Sequence, residues 1–210
     1  GIVGSNGIGK TNVLDAIYYL SFTKSYFSRP DAQNVHHAYQ GLRVEGVYEM
    51  NKDIISITCI LRENLKKEFY FDQEAYTKLS QHIGKIPCVM IAPDDVQIIT
   101  GSSEERRKLM DSLLSQMHPE YLMYLIAYNK VLVQRNSLLK QAGETGELDQ
   151  ILLETLNDQL VKHGNFIFEY RKQLIDAYLP KILALYQTLA GQDDQIHIQY
   201  QFYLHLLLIY

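Results

Sequence analysis

The sequence predicts an α/β chain with a mixed-sheet lobe over residues 1–100, an inserted α-helical lobe over residues 101–190, and a return towards the sheet lobe at 191–210. Three observations predict it. A glycine-rich loop from Gly4 to Thr11 runs directly into apolar residues at helical spacing. Short β-rich runs then follow one another between Gly41 and Ala92. Beyond Gly101 the β-branched pairs give way to Leu, Met, Lys, Glu and Gln with a period of about 3.6 residues.

In chain order, Val13, Leu14, Ile17, Tyr18 and Leu20 mark the helix that the glycine loop feeds, with Tyr18 on its core face. Gly41 to Met50 reads as a strand with Leu42, Val44 and Gly46 on one face, Val47 and Tyr48 breaking the alternation. Asp53 to Leu61 is its partner across a turn near Asn51-Lys52-Asp53, and Lys67 to Phe71 adds a third strand. The apolar run Ile86 to Ala92, ending at Pro93, reads as a buried central strand.

In the helical lobe, Ser102 and Glu105 have the spacing of a capping box, opening a helix with inner face Leu109, Met110, Leu113, Leu114 and Met117. His118-Pro119 punctuates it. A second helix runs from Glu120 to about Lys140, with Gly143-Glu144-Thr145-Gly146 as the turn after it. A third runs from Glu147 towards Leu179 and ends before Pro180, with Gly164 as its weak point. After Gly191 the alternation of Ile196, Ile198, Tyr200 and Phe202 predicts a strand.

The 47% hydrophobic content of the 210 residues is ample for a packed core. A net charge of -4 excludes a global basic field, so any nucleic-acid surface must be a local patch. Cys59 and Cys88 are too few for a disulfide framework or a four-ligand zinc site, and read as small buried hydrophobes in a reducing cytosol. No leader and no bilayer-length apolar run is visible, so the expectation is a cytoplasmic protein. The chain opens directly on its glycine loop, where a strand is expected to come first, and closes on the apolar run Phe202 to Tyr210. The expectation is a fragment or a gapped chain.

The segment Gly4-Ser5-Asn6-Gly7-Ile8-Gly9-Lys10-Thr11 satisfies the phosphate-loop pattern of two glycines with four residues between them, followed by Lys and Thr. Gly4, Gly7 and Gly9 permit backbone angles that let successive amides converge on phosphate oxygens, and the helix that follows presents its positive end. Lys10 is the expected point charge between β- and γ-phosphates, and Thr11 the expected Mg²⁺ ligand. The expected ligand is a nucleoside triphosphate, ATP, held by Gly4, Ser5, Asn6, Gly7, Ile8, Gly9, Lys10, Thr11 and Asn12.

Other constellations carry less. Asp94-Asp95 after an apolar run allows a carboxylate that activates water, but Pro93 lies between, and a Pro-Asp-Asp turn is the preferred reading. Arg106, Arg107 and Lys108 point to different helix faces and read as solvated surface. Gln134-Arg135-Asn136 in mid-helix is similarly ambiguous. The tyrosines are scattered, and Tyr121 and Tyr128 fall on core faces. His36-His37 lack partners at metal-ligand spacing.

Four stretches resemble the bacterial RecF recombination mediators, ATP-binding-cassette ATPases related to the heads of Rad50 and SMC proteins. They are Gly4 to Leu20 with Lys24-Ser25; Ala92 to Asp95; Gly101 to Asp111; and Tyr128 to Lys140. Asn6 with Asn12 is typical of the Rad50-like class. The resemblance implies an ABC-ATPase head that dimerises on ATP and binds double-stranded DNA near gaps. It also implies service in recombinational repair, replication restart and the SOS response, with RecO and RecR as partners. In its light Val89 to Ala92 is the strand leading into the helical lobe, and Gln97 lies near the loop that senses Mg²⁺ and the γ-phosphate.

The signature segment and the Walker B acids of that family are not found in this chain. A complete chain of this kind is expected to bind ATP and hydrolyse it poorly or not at all; a fragment belongs to a slow, DNA-dependent ATPase. Two rivals remain open at the level of residues: a phosphate-loop kinase of small molecules, and a DNA- or partner-binding module that keeps the loop for stability alone.

Overall fold

The computed structural model describes residues 1–28 and 30–190, which fall into two compact units, one from Gly1 to Val96 and a second beginning at Gln97. The sequence-predicted strand around Ile196 to Phe202 and the run Phe202 to Tyr210 lie outside the described residues.

In the first unit, helix α1 (Lys10–Phe22) is followed by a four-stranded antiparallel sheet in the order β1-β2-β3-β4. The strands are β1 (Leu42–Met50), β2 (Asp53–Leu61), β3 (Lys67–Phe71) and β4 (Glu74–Ala75). Asn51 and Lys52, with φ of 52° and 77°, form the two-residue turn that pairs Met50 with Asp53, the positive-φ geometry whose twist matches that of the strands. Asp72 and Gln73 repeat the device between β3 and β4. The β1 register corrects one reading: Val44, Gly46, Tyr48 and Met50 share the inner face, so Tyr48 keeps the alternation and Val47 points out.

The core of this unit joins the last turn of α1 to the sheet: Tyr19 and Leu20 pack with Ile57, Cys59, Phe69 and Ile86. A Cβ at Gly46 would meet Leu20 Cδ1 at 2.7 Å, so glycine there lets the helix approach β1 closely. Lys67 on β3 closes the same corner. Its Nζ donates to Thr23 O at 2.7 Å, pairs with Asp31 at 2.5 Å and lies over the Tyr19 ring, whose hydroxyl also bonds Asp31. Buried His82 adds a second tie: its Nε2 is 2.6 Å from Leu20 O, and its ring packs on Phe69. Because a carbonyl only accepts, Nε2 carries the proton.

The sequence places the inner face of the first helix at Val13, Leu14, Ile17, Tyr18 and Leu20; in the structure Val13, Leu14 and Ile17 are 43–50% exposed. The described sheet reaches only the helix's last turn. The central strand expected at Ile86 to Ala92 is not formed either. Ile86 and Ala92 are buried, but Val89 and Ile91 are 71% and 84% exposed, and the segment finds no ladder partner among the described residues.

The second unit is helical: a short turn of helix α2 (Gln97–Thr100), then α3 (Ser103–Met117), α4 (Pro119–Thr145) and α5 (Gln150–Ala190). Ser102 caps α3 by accepting from Glu104 N at 3.2 Å; Glu105 pairs with Lys108, so the reciprocal half of a capping box is not made. On α3 the buried residues are Met110, Leu114 and Ser115, whereas Leu109 and Met117 are exposed. Helix α4 starts at Pro119, where a missing N–H costs nothing, and runs through Gly143 to stop at Gly146 with φ 75°. One interior glycine costs about 1 kcal/mol, too little to end a helix between Gln141, Ala142 and Glu144. Helix α5 likewise continues through Pro180 instead of ending before it. Proline there forgoes one backbone hydrogen bond, and Leu179, Leu183 and Tyr186 around it are half-buried.

Two apolar clusters hold the helices together: Met110, Leu114, Tyr121, Ile167 and Leu174, and beyond them Val131, Leu156 and Leu160. Gly164 is buried against Tyr128. Between α3, α4 and α5 lies a buried polar knot. Arg171 donates to both carboxylate oxygens of Asp111, at 2.7 and 2.9 Å from Nη2, and Tyr121 donates to the same carboxylate.

Two outcomes follow for the full-length protein. Arg171→Leu takes the counter-charge from Asp111 while Tyr121 still donates to it, and is expected to destabilise the helical unit by about 3 kcal/mol, read as a shifted urea midpoint by circular dichroism. Burial lowers the pKa of His82, the bond to Leu20 O opposes this, and Lys85 lowers it further. A depressed folded value means stability that is present above the ordinary histidine value of about 6.5 and lost as pH falls through the folded one. Thermal unfolding should therefore show a loss of stability as pH falls below about 6.5 that His82→Gln flattens.

Candidate nucleotide site

The loop that the sequence singles out is an exposed arc at the N-terminal end of α1. Gly7 and Gly9 have φ of 81° and 98°. A Cβ at either would stand in open space, so the requirement there is conformational, not steric. The first hydrogen bond of α1 runs from Val13 N to Gly9 O at 3.1 Å, which leaves the amides of Lys10, Thr11 and Asn12 without an intrahelical acceptor. Gly9, the N-cap, has no side chain to satisfy them. No acidic residue lies in the first turn of α1, so its positive end is not neutralised locally.

Lys10 reaches back over the loop: its Nζ donates to Gly4 O at 2.8 Å and Ser5 O at 2.7 Å. An ammonium has three donors, so one remains for an anion while the other two keep the loop wrapped round the side chain. Ser5, Asn6, Ile8, Thr11 and Asn12 are exposed around this arc. The donor set, amides plus one ammonium with a hydroxyl beside them, is the chemistry that a polyphosphate with its cation requires, and the residues present fit it.

One turn further on, Asp15 anchors the loop that follows the helix. Its carboxylate accepts from Ser25 Oγ at 2.6 Å and from Tyr26 N at 2.7 Å. Sequence reasoning noted Lys24-Ser25 only as part of a likeness and assigned Asp15 and Tyr26 no role. The available signal was spacing, since Asp15 lies four residues after Thr11 on one helix face.

The other candidates have these surroundings. Residues Pro93–Val96 form a 3₁₀ turn. Within it Asp95 accepts from Ala92 N at 2.6 Å and from the Tyr26 hydroxyl, so both its oxygens are engaged in holding the turn. Arg106 donates to Ile98 O and Gly101 O, closing the end of α2, and Arg107 and Lys108 pair with Ser103, Glu104 and Glu105. Arg135 donates to Asn157 at 2.7 Å across the α4–α5 pair. His36 and His37 are exposed and stack on each other. Gln97 opens α2 in the second unit. No described helix is long and apolar enough to cross a membrane.

No protein-family model matches the chain. Curated proteins do. It is 42% identical over 202 residues to the DNA replication and repair protein RecF of Flavobacterium johnsoniae, a match covering 96% of this chain and 56% of that protein. With RecF of Parabacteroides distasonis it shares 41% over 197 residues, 94% of this chain and 53% of the relative. Among solved structures, "Structure of the recombination mediator protein RecF-ATPrS in RecFOR pathway" superposes with a TM-score of 0.84 at 26% identity, covering 90% of this chain and 51% of that one. A second, of RecF-ATP in the same pathway, superposes at 0.82 with 24% identity and bears on the fold alone. The fold is thus α/β, that of the RecF ABC-ATPase head. The chain spans about half the length of the curated relatives it matches, and over that span it belongs to the RecF family.

Proposed function

We propose that this chain is the phosphate-loop part of an ATP-switched DNA-repair protein of the RecF type. In this reading nucleotide binding, and not rapid turnover, is the working step. The observation that carries it is the Gly4–Thr11 arc. Its open amides at the α1 N-terminus and the Lys10 ammonium folded over the loop form an anion site. Its relatives are RecF proteins, and the solved neighbour at 26% identity is named as RecF-ATPrS. Lys10 supplies the charge that offsets the β- and γ-phosphates; Gly4, Ser5, Asn6, Gly7, Ile8, Gly9 and Asn12 supply backbone and flanking contacts; Thr11 supplies a hydroxyl for Mg²⁺. ATP, when bound, contributes the negative charge that draws these donors together.

For the whole protein the reading extends to cytoplasmic work on double-stranded DNA near gaps, ATP-dependent homodimerisation, and cooperation with RecO and RecR. A nucleotide can bias dimerisation only through contacts that the monomer lacks, so the switch requires part of the ATP site to come from the second copy. The relatives favour this reading over a small-molecule phosphotransferase.

Analytical ultracentrifugation of the full-length protein with Mg²⁺-ATP, with and without duplex DNA, tests it. The expected result is an ATP-dependent dimer that Lys10→Ala abolishes, with nucleotide affinity down at least about tenfold, or 1.4 kcal/mol. Thr11→Ala should weaken binding mainly when Mg²⁺ is present. A protein that stays monomeric yet turns over ATP without DNA would move the assignment to the phosphotransferase. DNA binding that survives Lys10→Ala unchanged would leave the loop a purely structural role. In the expected case, DNA affinity should fall with salt as phosphate contacts require.

A further inference from the structure

The residues around Tyr26 form a continuous hydrogen-bonded chain that the reading above does not use. Thr11 and Asp15 stand four residues apart and so share one face of α1. Asp15 receives Ser25 Oγ–H and Tyr26 N–H. Ser25 is buried, and its oxygen in turn accepts from Phe27 N at 3.1 Å and Ser28 N at 2.9 Å. One donor and two lone pairs exhaust what a hydroxyl can do, so the loop after α1 is wound round Ser25 with nothing left over. Thr23, in the left-handed conformation at φ 56°, turns the chain back to make this possible.

Tyr26 then carries the connection onward. Its ring meets Tyr18 edge-on at 5.0 Å, which fixes the side chain against the helix, and its hydroxyl donates to Asp95, 69 residues away in sequence. The other Asp95 oxygen accepts Ala92 N–H, while Asp95 N–H donates to Ala92 O at 3.0 Å. Asp95 therefore closes the turn at residues 92–96 from both sides, and that turn is where the first unit ends.

We propose that Tyr26 is a positioning residue that couples the Thr11 face of α1 to the turn at residues 92–96, so that nucleotide bound at the loop orders that turn. The inference rests on the reading that the loop binds nucleotide. Its physical basis is that Tyr26 is held at both ends: its backbone by the helix that carries the phosphate loop, its hydroxyl by the carboxylate that shapes the turn. Anything that rigidifies the first turns of α1 restricts Asp15, and with it Tyr26 and Asp95. A tie with only a structural role predicts something different: loss of the hydroxyl lowers thermal stability but leaves the response to nucleotide untouched.

Hydrogen–deuterium exchange on the full-length protein separates the two. In the wild type, Mg²⁺-ATP should slow exchange in peptides covering residues 92–96 by about threefold or more. Tyr26→Phe should bind ATP within about threefold of wild type yet lose that slowing. Tyr70→Phe, which removes a tyrosine hydroxyl bonded to Glu68 elsewhere in the sheet, should retain it. If Tyr26→Phe does not fold, Asp95→Ala removes the acceptor of the same link from the other side and is expected to behave alike. Slowing that persists in Tyr26→Phe or Asp95→Ala overturns the coupling. Wild type that binds ATP with no change at 92–96 overturns it alone, whereas wild type that binds no ATP removes the proposed function and this inference together.

Discussion

The first unit is organised by the demand that one end of α1 be immobile while the other stays open. The amides of Lys10, Thr11 and Asn12 can serve an anion only if nothing else caps them, so the stabilisation of this helix has to come from its far end. The structure meets that demand with apolar burial of Tyr19, Leu20 and Phe22, a close crossing at Gly46, and polar ties from Lys67 and His82 to the last carbonyls. Each tie is made to a backbone or a side chain at the end of the helix, where accepting groups are left over. Helix polarity thus sets both where binding chemistry resides and where packing must reside.

The helical unit solves a different problem. Its helices meet through two modest apolar clusters, and the point where three of them converge is filled by Arg171, Asp111 and Tyr121. A planar guanidinium that pairs bidentately with one carboxylate fixes the relative position of α3 and α5 more sharply than apolar contacts do, because the geometry of the fork admits one arrangement. Asp111 lies in the stretch Gly101 to Asp111 that carries part of the likeness to RecF. That likeness therefore includes a packing determinant as well as surface residues.

Much of this was legible in the residues. The hairpin turn at Asn51-Lys52, the start of α4 at Pro119 and the cap at Ser102 are local chemistry, and local chemistry is written in adjacent positions. The expected ends of α4 at Gly143 and of α5 before Pro180 did not hold, because helix-breaking residues impose costs of only one to a few kcal/mol, flagged by type but outweighed by flanking periodicity. The run Ile86 to Ala92 has the composition of a buried strand. A strand is completed by a partner's hydrogen bonds, which composition cannot supply.

By itself, the sequence determined the phosphate-loop pattern and its family, since both depend on residue types at fixed spacing along one segment. It also determined most elements, through the period of their apolar positions. Only the tertiary structure decided that Asp95 is bonded into the turn at residues 92–96, that Tyr26 joins Asp15 to Asp95, and that Arg171 finds Asp111. Each of these depends on groups 10 to 69 residues apart meeting at hydrogen-bond distance. Such meetings arise from how whole elements pack, and no local pattern encodes them.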